Sequence, residues 1–325
     1  MKLRLVALPI LAALAGAAPL NGQQQTVTVV PQEGVGTVLD YGEDGNERMT
    51  VPVSIGGRGP YAFIVDTGAE RTSIAEELAE DLKLGLGTRA RLHSMTEVSR
   101  IQTVLIPALE VGGRSIRGIN APALERRHIG AEGILGVDTL QTQRVSFDFA
   151  RRQMTVSLSR KREEKWPDNT IVVTAKNRLG HLVMVDASVD GQKVWVILDT
   201  GAETTVANSV LRRKLERRGK LMESWPIEIQ SVTGGRMAAD QSMMRKIRLG
   251  GVDINNLPVA FADVHPFRKL GLTKRPALLL GMDALRLFER VSVDFPNRRV
   301  RLLPAGSAER TGTRLAARGA AKASS

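Results

Sequence analysis

Apolar and polar residues alternate along short stretches of the chain, and these stretches come in one order twice. From Met49, "MTVPVSI" alternates and runs into the turn "GGRGP", after which "YAFIV" leads into Asp66. Period-two runs bounded by Gly and Pro predict strands. "TSIAEELAEDLKL" breaks the alternation and predicts a short helix, and "RIQTVLIPALEVGG" is strand-rich and ends in a Gly pair. "GILGVDTL" starts at Gly133, and "RVSFDFARRQMTV" predicts a hairpin. From His181 the order returns as "HLVMVDASVDG", "VWVIL" leading into Asp199, the helix-like "TTVANSVLRRKLERR", "MMRKIRLGG", "ALLLGMDAL" and "RVSVDFPNRRVRLL". Five residues, "DTGAE", recur unchanged at 66–70 and 199–203.

The repeat is far too long for a solenoid unit. It predicts a mainly β, bilobal protein with one or two helices per copy, whose halves pack about a pseudo-two-fold axis as the subunits of a symmetric dimer do. The order of segments is a leader at 1–17, an N-terminal lead at 18–47, an N-terminal lobe at 48–158, a linker at 159–178, a C-terminal lobe at 179–303 and a basic tail at 304–325. The tail is small, polar and basic, a composition expected to be disordered.

Phe63, Ile64 and Val65 precede Asp66, and Val196, Ile197 and Leu198 precede Asp199, so each Asp stands at the end of a buried strand. Gly68 and Gly201 permit a sharp turn that brings backbone N–H groups to the carboxylate. Thr67 and Thr200 add hydroxyls. One such turn is an ordinary Asx turn; two in duplicated surroundings predict a facing pair of acids. Carboxyl groups in contact share one proton. The ionised member takes a proton from water and the neutral member donates to a substrate carbonyl, which is general acid–base catalysis without a covalent intermediate.

The chain resembles the aspartic protease superfamily, nearer its retropepsin-like branch than pepsin, in "FIVDTGA" with "GILGVDTL" and in "VILDTGA" with "LLLGMDAL". The resemblance implies the bilobal aspartic protease fold with a central cleft, endopeptidase activity on peptides or unfolded proteins, no cofactor and no metal. It implies that Asp66 and Asp199 are the catalytic dyad, that Thr67 and Thr200 interlock beneath it, and that Gly68, Ala69, Gly201 and Ala202 complete the two active loops. Ile134, Leu135 and Gly136, with Leu279, Leu280 and Gly281, are implied as the strands bracing those loops. Both copies lie on one chain, so a monomer suffices. Pepsin-like sites often carry Ser or Thr where Ala69 and Ala202 stand, so the dyad is expected to be less strongly acidified and the pH optimum less acid than pepsin's. Glu70 and Glu203 either pair with an arginine, line the cleft or, by default, are surface charge.

A peptidase of this kind needs a hairpin to cover the water and hold the substrate. In copy two Val232 and Thr233 lead to Gly234 and Gly235, which suit a mobile tip. The matching stretch of copy one, "ARLHSMTEVSRIQTV", has no Gly; either that cover is stiffer or its tip sits at Met95, Thr96 and Glu97. Asp138, Asp283, Asp148 and Asp294 are also duplicated, and a buried hydrogen-bonding or salt-bridge role accounts for them without further catalysts or a metal.

Composition narrows the alternatives. The 325 residues include no Cys, which excludes thiol chemistry, and four His, which show no ligand-like spacing. The net charge of +12 has no zinc-finger, P-loop or RNP-like motif beside it, so nucleic acid is not an expected partner and the surplus reads as a solvated face. Neither "GxSxG" nor "HExxH" occurs. "MKLRLVALPILAALAGAAPLNG" has basic Lys2 and Arg4, an apolar run and an A-x-A site, the pattern of a secretory signal; the run is too short for a good membrane span. An exported protein, periplasmic or secreted, is expected. Two other readings stand beside the peptidase: a catalytically silent peptide-binding or scaffold protein on the same fold, and a precursor whose residues 18–47 cover the cleft.

Overall fold

Strand Met49–Ile55 buries Val51, Val53 and Ile55 and turns Pro52 to solvent, as its alternation predicts. The computed structural model that shows this describes residues 4–7, 28–29, 37–44, 48–159, 166–306 and 314–316. The strand folds back at Gly56 and Gly57, whose φ values of 56° and 76° are left-handed, a conformation that disfavours a side chain and matches the twist of a tight hairpin. It pairs with Arg58–Val65, where Phe63, Ile64 and Val65 are all buried because both faces of this strand end are covered. A second hairpin, Thr103–Val111 with Arg114–Leu124, turns at Gly112 and Gly113. The short strands Ser73–Ala75 and Gly133–Leu135 lie between the hairpins, and Leu109 pairs with Ile55 to close the sheet on itself. Closure leaves the barrel no long free edge.

The C-terminal lobe repeats this plan. His181–Met184 pairs with Trp195–Leu198, and Ala277–Leu280 runs parallel to the latter. Val206–Ala207 sits between Ala277–Leu280 and Val252–Phe261, and the long strand Arg236–Leu249 closes on Ala187–Val189. The two expected helices are shorter than their sequence patterns. Ser73–Ala75 is a strand before the helix Glu76–Asp81, because Ile74 is claimed by pairing with Gly133 and Ala123. Likewise the helix Ser209–Arg217 starts only after Asn208, whose side chain accepts from the Leu211 N–H at 3.0 Å as an N-cap.

A third sheet joins the lobes. Gln143–Asp148 pairs with Gln153–Leu158 on one side and with Phe288–Asp294 of the other copy on the other. Phe288–Asp294 pairs in turn with Arg299–Pro304. The central register sets Arg144 against Asp294, Ser146 against Ser292 and Asp148 against Arg290. That is what a two-fold axis through the Ser146–Ser292 pair requires, and their hydroxyls hydrogen-bond at 2.8 Å. Asp148 takes Arg151 and Arg290 as ionic partners. Asp294 is buried and accepts from the Ser159 hydroxyl and from Asn297. Both acids serve the sheet.

Thr37–Asp40, from the N-terminal lead, adds an edge strand beside Gln153–Val156, and Ile171–Arg178, inside the stretch read as linker, is a strand paired with Arg299–Leu302. Of the expected leader only Arg4–Ala7 is described, and of the tail beyond Gly306 only Arg314–Ala316; both are short strands at the edge of the C-terminal lobe. The remainder of each lies outside the described residues. Among the described residues no helix is long and apolar enough to cross a membrane.

Close packing at the bracing strands gives a direct test. A Cβ at Gly136 would collide with the backbone of Arg71, whereas one at Gly85 would meet nothing within 4 Å. Gly136→Ala should lower unfolding free energy by about 1–3 kcal/mol in urea, while Gly85→Ala changes it by less than about 0.5 kcal/mol.

Candidate active site

Each "DTG" loop begins where a buried strand stops. The Asp66 N–H donates to the Leu135 carbonyl at 3.0 Å, and the Asp199 N–H to the Leu280 carbonyl at 3.1 Å. Ile134 and Leu135 run parallel to Ile64 and Val65, and Leu279 and Leu280 to Ile197 and Leu198. Gly136 and Gly281 continue the bracing strands and donate to the hydroxyls of Thr72 and Thr205. Those hydroxyls donate in turn to Asp138 and Asp283, at 2.9 and 2.6 Å. The second pair of duplicated acids thus holds the loops from behind. Burial pushes both carboxyls up to about 6, against the hydrogen bonds from Thr72 and Thr205.

The two loops lock across the axis through their threonines. The Thr67 N–H donates to Thr200 Oγ1 at 3.0 Å, and the Thr200 N–H to Thr67 Oγ1 at 3.1 Å. Each hydroxyl then donates onward into the opposite lobe, Thr67 to the Leu198 carbonyl at 3.0 Å and Thr200 to the Val65 carbonyl at 2.7 Å. A side chain at Gly68 would collide with the Asp199 carboxylate, and one at Gly201 with that of Asp66. Neither glycine has a positive φ. The loops therefore need glycine to admit the opposing carboxylate, rather than for the turn alone.

Asp66 Oδ1 accepts from the N–H groups of Gly68 and Ala69 at 2.7 and 2.9 Å, and Asp199 Oδ1 from those of Gly201 and Ala202 at 3.0 and 3.1 Å. The remaining oxygens, both Oδ2, are buried and hydrogen-bond to no other described group. The carboxyls lie within interaction range of each other. Burial pushes Asp66 up to about 6, only partly offset by its backbone donors. Asp199 rises further above the carboxylate range, through burial and then through the charge of Asp66. Each carboxyl thus shifts with the charge of the other, so the two titrations are coupled.

A hairpin stands at each of the two places expected for a cover. Ala90–His93 pairs with Val98–Ile101, and its tip turns through Ser94, Met95, Thr96 and Glu97 without glycine, because the Ser94 hydroxyl accepts from the Glu97 N–H at 3.1 Å. Ser224–Gln230 pairs with Arg236–Ser242, with Ser231, Val232, Thr233, Gly234 and Gly235 at its tip. The tips meet, Thr96 Oγ1 donating to Ser231 Oγ at 3.2 Å. Gly234, at φ 80°, lies against the His128 imidazole of the N-terminal lobe.

One group that sequence reasoning passed over breaks the symmetry. His181 is fully buried; its Nδ1 donates to the Thr67 carbonyl at 3.2 Å, and its Nε2 lies 3.8 Å from Glu70 Oε1. Lys269 reaches the same oxygen at 2.5 Å. Glu70 is thus a partly buried bridge between lobes rather than surface charge. Burial alone would raise its pKa, yet His181 and Lys269 hold the carboxyl below the glutamate range. The position equivalent to His181 in the first copy is Arg48, since Val183 pairs with Ile197 as Thr50 pairs with Ile64. Arg48 is also buried, but it stays within its own lobe, bonded to Asp44 and the Ile129 carbonyl. The equivalence was legible in the repeat, as the residue entering the first strand of each copy. Among the described residues no group of three or more His, Asp or Glu is placed to hold a metal.

Two outcomes follow from this geometry. Thr200→Val keeps the volume but leaves the Thr67 N–H and the Val65 carbonyl without their partner. It should cost about 1–3 kcal/mol per orphaned buried group, seen as an earlier urea midpoint with an unchanged slope. The raised carboxyls set the sign of a pH effect. Asp66, Asp138, Asp199 and Asp283 keep protons in the folded state that the unfolded chain has released, so stability falls as pH rises from about 4 to above 6. Urea midpoints should be lower at pH 7.5 than at pH 4.5, and Asp138→Asn with Asp283→Asn should reduce that difference.

A sequence profile described as aspartyl protease matches the chain twice, at residues 51–139 and 185–284, each match spanning one active loop and its bracing strand. Among curated proteins none matches. The two matches cover more than half of the 325 residues, and the chain belongs to the aspartyl protease family.

Proposed function

We propose that the chain is a self-sufficient aspartic endopeptidase. The observation that carries this reading is the pair of loops interlocked by Thr67 and Thr200, which brings two buried carboxyl groups within interaction range of each other, the backbone donors of each loop meeting only Oδ1. A water between the two carboxyl groups is activated by the ionised carboxylate, which takes one of its protons. The neutral carboxylic acid donates to the carbonyl oxygen of the substrate as the water oxygen bonds to the carbonyl carbon. The product of that step is a tetrahedral gem-diol. A proton then passes to the amide nitrogen, the C–N bond breaks, and the dyad returns to its singly protonated state. The backbone donors on each Oδ1 keep the carboxyls fixed throughout, so little reorganisation accompanies the charge movement. The covering hairpins exclude bulk water and offer backbone to an extended peptide.

Because one chain supplies both loops, a second subunit is unnecessary to this mechanism. The family places the protein among proteases; intact Asp, Thr and Gly in both loops favour turnover over mere binding. Hydrolysis of a mixed peptide library, blocked by a statine-type mimic of the gem-diol, is the expected result. Asp66→Asn and Asp199→Asn should each lower kcat/KM by at least about 10³-fold, and turnover retained in either variant would rule out the shared dyad. Activity requires the pair to have lost one proton. Since burial raises both carboxyls, the acid limb of kcat/KM should lie above the ordinary Asp value of 3.8. A pH–rate profile with its maximum near pH 2 is incompatible with that environment.

A further inference from the structure

Trp195 starts the strand that leads into Asp199, and three positive charges lie over its ring. Lys176 Nζ is 5.6 Å from the ring centroid, and the guanidinium carbons of Arg178 and Arg275 are 4.7 and 4.9 Å from it. The indole is half-buried and packs on the apolar cluster that contains Ile197, Phe267, Leu270 and Leu279. It is therefore a fixed platform. The cations reach it from two separate stretches of chain. Lys176 and Arg178 belong to strand Ile171–Arg178, and Arg275 to the loop before Ala277–Leu280. Lys176 and Arg275 are exposed, and so is Lys274 beside them. Among the described residues no carboxylate pairs with any of the three cations on the ring. Attraction to the ring offsets part of their mutual repulsion, and an anion among them would relieve the rest.

We propose that this patch docks an acidic segment of the substrate polypeptide, outside the cleft and away from the cleaved bond. This rests on the peptidase reading above. Three observations favour such a segment. The patch adjoins the Asp66 loop, because Arg178 Nη1 donates to the Leu270 carbonyl at 2.6 Å and the preceding Lys269 is bonded to Glu70, which follows Ala69. Across the sheet Arg178 pairs with His181, whose ring meets the Thr67 carbonyl. A chain leaving the cleft past Glu70 meets these cations next. Spacing is the second observation. Lys176 and Arg178 stand two residues apart on a strand, so they share one face about 7 Å apart. An extended segment with an acid at every second position presents carboxylates at the same interval. The third concerns the ring, which is seated on the core beneath its cations. A tryptophan that anchors a protein in a lipid surface has to project into it.

A peptide that the wild-type protein cleaves can be extended through a Gly-Ser linker by Glu-Ser-Glu-Ser-Glu or by Gln-Ser-Gln-Ser-Gln, on either side of the cut and with several linker lengths, since reach sets the gain. At low salt the best acidic extension should lower KM about fivefold relative to its Gln counterpart, the size expected of three exposed ion pairs, with kcat unchanged. The gain should vanish in about 0.5 M salt and in the double variant Lys176→Gln with Arg275→Gln, which should cleave the Gln-extended peptide as the wild type does. Lys176→Arg should keep it. Equal KM values for both extensions throughout, or a gain that survives in the double variant, overturns the proposal. Binding is read apart from turnover. By fluorescence anisotropy, Asp66→Asn protein should bind labelled Glu-Ser-Glu-Ser-Glu about fivefold more tightly than the same protein carrying the double substitution. Equal affinities overturn the site. So does retention on phosphatidylglycerol vesicles that depends on Lys176 and Arg275 while the peptide shows no such dependence, which makes the patch a membrane contact. If wild-type protein cleaves no peptide but the labelled acidic peptide still distinguishes the two proteins, the peptidase reading falls and the acid-binding patch stands.

Discussion

Two carboxyl groups buried against one another repel when both are ionised, and each is costly to remove from water even alone. The protein holds them there with backbone. Each Oδ1 is occupied by two N–H groups of its own loop, each Asp N–H is tied to the bracing strand, and each loop hangs from the other by a threonine hydroxyl. Because every one of these bonds has a twin, neither lobe can shift without breaking bonds in both. The glycines beside the aspartates, the hydroxyls of Thr72 and Thr205 and the acids behind them all serve the same placement.

The symmetry is strict where chemistry needs it and relaxed one layer out. Arg48 and His181 enter equivalent strands, yet Arg48 satisfies itself within its lobe while His181 reaches the other lobe's active loop. Through Glu70, His181 and Lys269 the Asp66 loop is tied to the C-terminal lobe. Two chemically identical acids thereby sit in different surroundings.

Much of this could be read along the chain. "DTGAE" twice, with "ILG" and "LLG" downstream, carried the lobes and the paired acids, because those contacts follow from a repeat whose spacing is nearly constant. The helices were over-extended, since Ile74 and Val206 suit a helix or a strand and only pairing with distant strands decides. The first tip lacked the glycine that marks the second; a serine side chain closes that turn instead, a solution with no composition signal. His181 to Thr67 and Met95 to the opposite core are contacts between residues over a hundred positions apart, and nothing local to either residue points to its partner.

The sheet shared by the lobes has a consequence for self-recognition. Gln143–Asp148 meets Phe288–Asp294 in a register that maps each strand onto the other, arginine against aspartate at both ends. An edge that recognises its own copy needs no foreign mate. A half-length polypeptide bearing either repeat would expose an edge whose charged ends complement those of a second copy.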